Sequence, residues 1–320
     1  MHVESVPQAL PRRRSLVLSP AGFRRLAMVT TGMLVLIVAT GATVRLTGSG
    51  LGCEHWPGCQ PGDPFPARGY HSDIEFTNRL IAFLTVLTTL ALAIGALRTR
   101  GLGRGTKILA ALVFAGTLGQ APLGAITVYY HLNPWLVISH LLLSLVVLGL
   151  GVLVLLGATL LVRGGDPPLP AVARTAGAVL LAAVGALVVS GTLATAAGKF
   201  PGNSGDTRVR RLGAFEPSVA VHVRVVAAFG IVFLVLAVWA WLHRSRYPWL
   251  VRGCAGLLAI LAVQMIVGEV QYRTYATVSW GVVLVHVALA ASLFAWTVWL
   301  VARLWRPLAH ADGAPPGDAV

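Results

Sequence analysis

Charge is the scarcest property of this 320-residue sequence: 11% of its positions are Asp, Glu, Lys or Arg, and 11 residues in all are acidic. A soluble domain is typically about one quarter charged, so a water-facing globular enzyme is excluded. Apolar residues fill 56% of the chain, and the mean hydropathy is +0.78. A helix needs about 20 mostly apolar residues to cross a bilayer. The sequence offers about eight such runs, near 26–46, 76–98, 107–129, 135–162, 171–195, 219–242, 249–272 and 279–303. No cleavable leader is expected, because the first apolar run follows a long polar segment and is itself long enough to span. The fold class predicted is an all-α integral membrane protein of eight transmembrane helices.

The formal charge of +14 invites a nucleic-acid partner, but the placement of the cations argues against one. With the N-terminus inside, the inner segments hold Arg12, Arg13, Arg14, Arg24 and Arg25, then Arg98, Arg100, Arg104 and Lys107. Arg163 and Arg174, Arg244, Arg246 and Arg252, and finally Arg303 and Arg306 follow on the same side. The outer segments hold Arg45, Arg68, Lys199, Arg208, Arg210, Arg211 and Arg273. This bias follows the positive-inside rule and predicts a multi-pass protein of the cell membrane with both termini cytoplasmic. The loop at 196–218 runs against the bias, since it carries four of the outer cations.

The tails at 1–22 and 306–320, rich in Pro, Arg, Ala and Gly, read as disordered. Between them the chain reads as an internal duplication. Val38-Ala39-Thr40-Gly41-Ala42-Thr43 followed by Gly48 matches Val188-Val189-Ser190-Gly191-Thr192-Leu193 followed by Gly198. Gln120 and Gly124 upstream of His140 match Gln264 and Gly268 upstream of His286. Apolar segments resemble one another by chance, but the shared Gln-Gly-His order favours duplication. The expected units are an N-terminal four-helix half at 23–163, a Gly/Pro linker at 164–170 and a C-terminal half at 171–305. An even number of helices per half gives both the same orientation, hence two four-helix bundles related by a pseudo-twofold along the membrane normal.

Asn78, His140, His222 and His286 fall early in helices that begin at the outer face, on the second and fourth helix of each half. A ring nitrogen in hydrocarbon is costly and rarely lacks a task, and bundles place cofactor ligands on facing helices. A single histidine is explained by a hydrogen bond to a neighbouring backbone. The pair His222 and His286, at matching depth on duplicated helices, points instead to the iron of a flat cofactor. Zinc lacks a third or fourth nitrogen or thiolate ligand at that level. Glu75, Asn78 and Arg79 share a helix face: either a carboxylate beside the iron site, able to move protons, or a boundary ion pair. Arg79 and Arg224 suit cofactor propionates or interfacial anchoring. Cys53 and Cys59 can close a small loop, as a staple or as a redox-active pair. Cys254 reads as a small buried hydrophobe.

The run Gly41-Ala42-Thr43-Val44-Arg45-Leu46-Thr47-Gly48-Ser49-Gly50-Leu51-Gly52-Cys53, with Trp56-Pro57-Gly58-Cys59, resembles the start of the heme A synthases. So do Ile74-Glu75, Gly119-Gln120, Leu132-Asn133-Pro134-Trp135 and the histidines at 140, 222 and 286. The resemblance covers roughly residues 25–303. It implies an enzyme that oxidises the C8 methyl of heme O to a formyl group, supplying heme A to terminal oxidases. It also implies that His222 and His286 hold a heme b cofactor and that the N-terminal half, with His140, takes heme O as substrate. Glu75 is then essential for activity, the family's cysteine pair is Cys53 and Cys59, and heme O synthase and oxidase assembly factors are the expected partners. The family carries a histidine where Asn78 stands, so this chain departs from it at one ligand position. The rival functions are a cytochrome b-like electron carrier without synthetic activity, in which Glu75 is dispensable, and a duplicated-bundle transporter, which has no iron.

Overall fold

A computed structural model describes residues 17–56, 58–63, 65–66 and 69–309. The tail segments 1–16 and 310–320, expected to be disordered, lie outside the described residues, as do Pro57 and Arg68. Eight helices follow one another: α1 Pro20–Leu46, α2 Tyr70–Arg98, α3 Arg104–Tyr129, α4 Pro134–Arg163, α5 Ala171–Ala197, α6 Phe215–Leu242, α7 Pro248–Arg273 and α8 Trp280–Trp305. Each is long and apolar enough to cross a membrane, and the chain is a multi-pass membrane protein. Large apolar side chains such as Phe83, Leu97, Ile231 and Leu242 stand on the outer surface, where lipid rather than water must meet them.

Helix starts obey local chemistry. Ser19 Oγ accepts from Gly22 N at 3.1 Å and Pro20 opens α1, a side-chain cap followed by a residue whose missing N–H costs nothing there. The helix therefore begins inside the segment read as tail, and Leu18 bridges to Thr99 beyond α2. Asn133 caps α4 through Trp135 N at 3.0 Å, ahead of Pro134. The opposite tail is also laced in: Asp166 N donates to Pro307 O at 3.1 Å and Leu169 N to Leu304 O at 2.9 Å.

Helices α1 to α4 pack in sequence and α1 closes against α4; α5 to α8 do the same, with α5 against α8. Three further pairings, α1 with α8, α4 with α5 and α4 with α8, join the two rings. The whole pattern maps onto itself when α1–α4 are exchanged for α5–α8. Diagonal pairs, α2 with α4 and α6 with α8, have no backbone contact among the described residues. Because lipid is as apolar as leucine, close packing rather than transfer from water holds such helices together. Small residues permit it: a Cβ on Gly157 would collide with Thr106, and one on Gly253 with Leu300. Cys254 is buried in the core of the second ring, as a small hydrophobe.

The connections α1–α2, α3–α4, α5–α6 and α7–α8 share one end of the molecule, termed here the loop end. The α1–α2 loop is crosslinked by a Cys53–Cys59 disulfide with Cα atoms 4.5 Å apart. It also interlocks with the α5–α6 loop. Ser49 bridges Asn203, Gly50 N donates to Gly202 O at 2.8 Å and Ser204 N to Gly48 O at 3.2 Å. Gly48 (φ +72°) and Gly202 (φ +103°) occupy the left-handed region that glycine adopts freely. Two of the four cations in the loop that ran against the charge bias bind backbone: Lys199 Nζ donates to Ala276 O at 3.1 Å and Arg211 Nη2 to Lys199 O at 2.7 Å. Burial pushes the Arg211 guanidinium below its usual range, with Tyr275 opposing.

The thiol inventory follows. Denatured, unreduced protein should titrate one thiol, Cys254, and reduction should raise the count to three. Three reactive thiols before reduction would contradict the disulfide.

Candidate functional site

His222 lies seven residues into α6 and His286 six residues into α8, about two turns below the loop end. Their rings are near enough to interact electrostatically. Each rests on a glycine of the preceding helix: a Cβ on Gly191 of α5 would stand 3.0 Å from His222 Cε1, and one on Gly268 of α7 the same distance from His286 Cε1. Any larger residue would push the ring out of place. Ser190 Oγ donates to Leu187 O at 3.0 Å and stands 3.0 Å from His222 Nδ1. The hydroxyl has one proton; with that proton on the carbonyl, its oxygen would accept from Nδ1–H. That leaves the lone pair on Nε2, the nitrogen available to a metal. Gln264 Nε2 donates to His286 O at 3.0 Å, pinning the helix α8 backbone at the histidine itself.

The first ring repeats this construction with one substitution. Gln120 Nε2 donates to His140 O at 3.3 Å and to Ser144 Oγ at 2.9 Å. The His140 ring rests on Gly124, with Cε1 3.5 Å from a Cβ there. Thr40, the counterpart of Ser190, donates its hydroxyl to Asn78 Oδ1 at 2.8 Å. Asn78 thus occupies the place of His222. It borders a cavity of about 250 Å³ formed with Thr40, Thr43, Asp73, Ile74 and Thr77.

Glu75 is buried, at 5% exposure, and both its oxygens are engaged. Cys53 N donates to Oε2 at 2.9 Å and Arg79 Nη2 to Oε1 at 2.6 Å. Arg79 Nη1 continues to His55 O at 2.7 Å and to Gly58 O. Glu75 and Arg79 therefore tie the disulfide loop to α2, and no hydrogen bond joins either to His140 or Asn78 among the described residues. Sequence offers Arg79 and Arg224 alike to cofactor propionates or to interfacial anchoring. The structure separates them: Arg79 is committed to the loop, whereas Arg224 stands on the exposed side of α6. Register explains the split, since Arg79 follows Asn78 by one residue and Arg224 follows His222 by two, about 100° of helix apart.

Residues the sequence reading did not assign to the site are Thr40, Ser190, Ser144 and the glycines behind the rings. Their signal was present in the repeated Thr/Ser-Gly and Gln-Gly spacings, but spacing does not reveal which atoms meet. His71 is a structural link: Nδ1 lies 3.0 Å from Ser49 Oγ and Nε2 2.9 Å from Ser204 Oγ. Arg45 also crosses between rings, with Nε on Phe200 O at 3.2 Å and Nη2 on Thr195 O at 3.0 Å.

The residues present fit a heme. His140 Nδ1, His286 Nδ1, Gln120 Oε1 and Gln264 Oε1 are buried without a hydrogen-bond partner, two matching atoms in each ring. Buried polar atoms are rarely left so, and their pairwise recurrence beside the histidines marks places built around a further group. Imidazoles on the diagonal helices α6 and α8, backed by glycine and with Nε2 free on His222, suit axial ligation from two sides of a flat iron complex. Among the described residues, no three or more His, Cys, Asp or Glu side chains cluster as a metal site of their own.

Known proteins share parts of this sequence. A 122-residue segment is 36% identical to a heme A synthase of Bacillus licheniformis, covering 38% of this chain and 40% of that one. A 125-residue segment is 34% identical to a heme A synthase of Bacillus pumilus, with the same coverage. A third match, 39% identical over 111 residues, covers 33% of this chain and 18% of a protoheme IX farnesyltransferase of Thermus thermophilus. The chain thus spans about two fifths of the length of the heme A synthases it matches. The model of the family described as cytochrome oxidase assembly protein matches far more, along residues 24–68 and 70–298. Those residues include both rings and the interlocked loops, and the chain belongs to the COX15-CtaA family of cytochrome oxidase assembly proteins.

Proposed function

We propose that this protein is a heme A synthase, an oxidoreductase that takes heme O as substrate and converts its C8 methyl to a formyl group. The observation that carries the reading is the repeated histidine shelf, Ser190/His222 with Gln264/His286 and Thr40/Asn78 with Gln120/His140. Relatives named heme A synthase support it, as does a stretch of similar sequence within a protein named for farnesylating protoheme. Converting CH3 to CHO takes up one water and releases four electrons and four protons. A heme b held by His222 and His286 would supply one-electron transfer, carrying those electrons to an acceptor outside this chain. Ser190 sets the ring nitrogen that faces the iron, Gln264 holds the α8 backbone and Gly191 and Gly268 fix the ring planes.

In this reading the substrate heme lies in the first ring on His140, and Glu75 is the buried carboxylate one helical turn from Asn78. It is placed to accept protons released at the methyl, while Cys53 N–H and Arg79 hold it at the base of the disulfide loop. The two rings are halves of one duplicated unit, at 23–163 and 171–305, with the loop end outside the cell membrane and both termini cytoplasmic. The chemistry needs a partner that delivers heme O and a terminal oxidase that receives heme A.

Two outcomes test this. His222→Ala and His286→Ala should each remove the low-spin heme b spectrum from purified protein, and Gly191→Ala should broaden or weaken it by displacing the His222 ring. Unchanged spectra in both histidine variants would end the cofactor assignment. Glu75→Gln keeps an acceptor for Cys53 N–H but loses the charge paired with Arg79, at a cost of roughly 1–3 kcal/mol. Protein yield should fall modestly, while the heme A extracted from cells drops about 100-fold or more and heme O accumulates. Wild-type heme A content would leave Glu75 with its loop-anchoring role alone.

A further inference from the structure

We infer that Asn78 is not an iron ligand but a hydrogen-bond donor beside an open coordination position, so the first ring is a site for small diatomic ligands such as carbon monoxide or dioxygen. The inference rests on the proposal that His140 carries the substrate heme, and it concerns the residue that stands in the first ring where His222 stands in the second.

The two rings differ at one place. In the second, the His222 ring fills the groove over Gly191, whose added Cβ would meet Cε1 at 3.0 Å. In the first, the corresponding Gly41 has no protein atom within 4 Å of an added Cβ. The shorter Asn78 side chain does not reach across that groove, and a cavity of about 250 Å³ borders it with Thr40, Thr43 and Thr77. An imidazole has been exchanged for an amide while the glycine that would seat an imidazole remains.

The amide is also oriented. Thr40 Oγ1 lies 2.8 Å from Asn78 Oδ1 and 3.3 Å from Ile37 O. A hydroxyl has one proton, and the shorter contact directs it to Asn78. The carboxamide oxygen is thereby engaged, and the Nδ2 amide group has no protein partner among the described residues. An amide nitrogen so held carries no lone pair for iron, whereas its N–H groups can donate to a ligand bound there. His222 in the same position is oriented the other way, donating Nδ1–H to Ser190 and presenting a lone pair. One ring is thus arranged for two protein ligands and the other for one protein ligand and one exogenous molecule. The groups lining the cavity beside Asn78 are the neutral hydroxyls of Thr40, Thr43 and Thr77, with the Asp73 carboxylate at its wall. That set favours an uncharged diatomic over an anion.

The test uses full-length purified protein titrated with hemin, reduced, and exposed to carbon monoxide. About half of the bound heme should shift to a carbon monoxide adduct, and the low-spin remainder should be the part lost in His222→Ala. Asn78→His should abolish the adduct and convert the high-spin heme to low-spin. In the Asn78→His background, Gly41→Ala should restore carbon monoxide binding by denying the new ring its groove. Asn78→Leu should keep the adduct, raise the C–O stretching frequency and speed ligand release by on the order of threefold, the loss of one hydrogen bond. An adduct indifferent to Asn78→Leu would overturn the donor role. A fully low-spin, carbon monoxide-insensitive spectrum with two hemes bound, or no heme taken up by the first ring, would overturn the inference while leaving the second-ring heme intact. Failure of the underlying reading has a different mark: no heme bound in either ring.

Discussion

An imidazole inside a membrane helix has no water to satisfy its ring nitrogens, so the groups set around it matter: Nδ1 of His222 meets Ser190, whereas Nδ1 of His140 and of His286 has no protein partner among the described residues. Those groups organise the middle of this protein. A hydroxyl one helix away takes the Nδ1 proton of His222, a glycine on the same helix gives the ring a flat seat, and a glutamine fastens the backbone of His286. The helices then lie where those contacts put them. Serine before glycine on α5 and glutamine before glycine on α7 are there because the rings of α6 and α8 need a shallow, polar-edged wall. The same wall stands in the first ring, where Thr40, Gln120 and Gly124 face Asn78 and His140.

The loop end meets a second demand, closing two rings against one another. Close approach there requires glycine: a Cβ on Gly52 would stand 2.5 Å from His71 O, and one on Gly50 2.9 Å from Gly202 O. Arg45 and His71 reach from the first ring to carbonyls and hydroxyls of the α5–α6 loop. The disulfide loop sits within this lattice and is joined to α2 by the Glu75 carboxylate. Any motion of the Cys53–Cys59 loop therefore acts directly on Glu75. This links two features that sequence presents as separate motifs 22 residues apart.

Helix number and type were legible because spanning lipid demands long apolar runs, and the eight runs became eight helices. Their starts were less so. Polar residues such as Ser19 and Tyr70–Ile74 precede the apolar stretch yet belong to or cap a helix, since helix ends extend beyond the hydrocarbon. The histidine pair could be read from its repeated spacing. The partners of Glu75 could not, because a carboxylate, an arginine and a cysteine loop meet only after the chain turns back on itself. Arg79 and Arg224 hold similar positions in sequence yet fall about 100° apart around their helices. His71 was passed over because a histidine in a polar loop carries no local mark of the hydroxyls it will find.

The central claim is that two histidines from diagonal helices bind one iron. Pulsed electron paramagnetic resonance on purified protein, grown with 15N-histidine, reads this directly. Purified protein should give a low-spin ferric signal coupled to two histidine nitrogens, and that low-spin signal should be lost in His286→Ala. A signal with no histidine nitrogen coupling, or iron absent from fully folded protein, would contradict it.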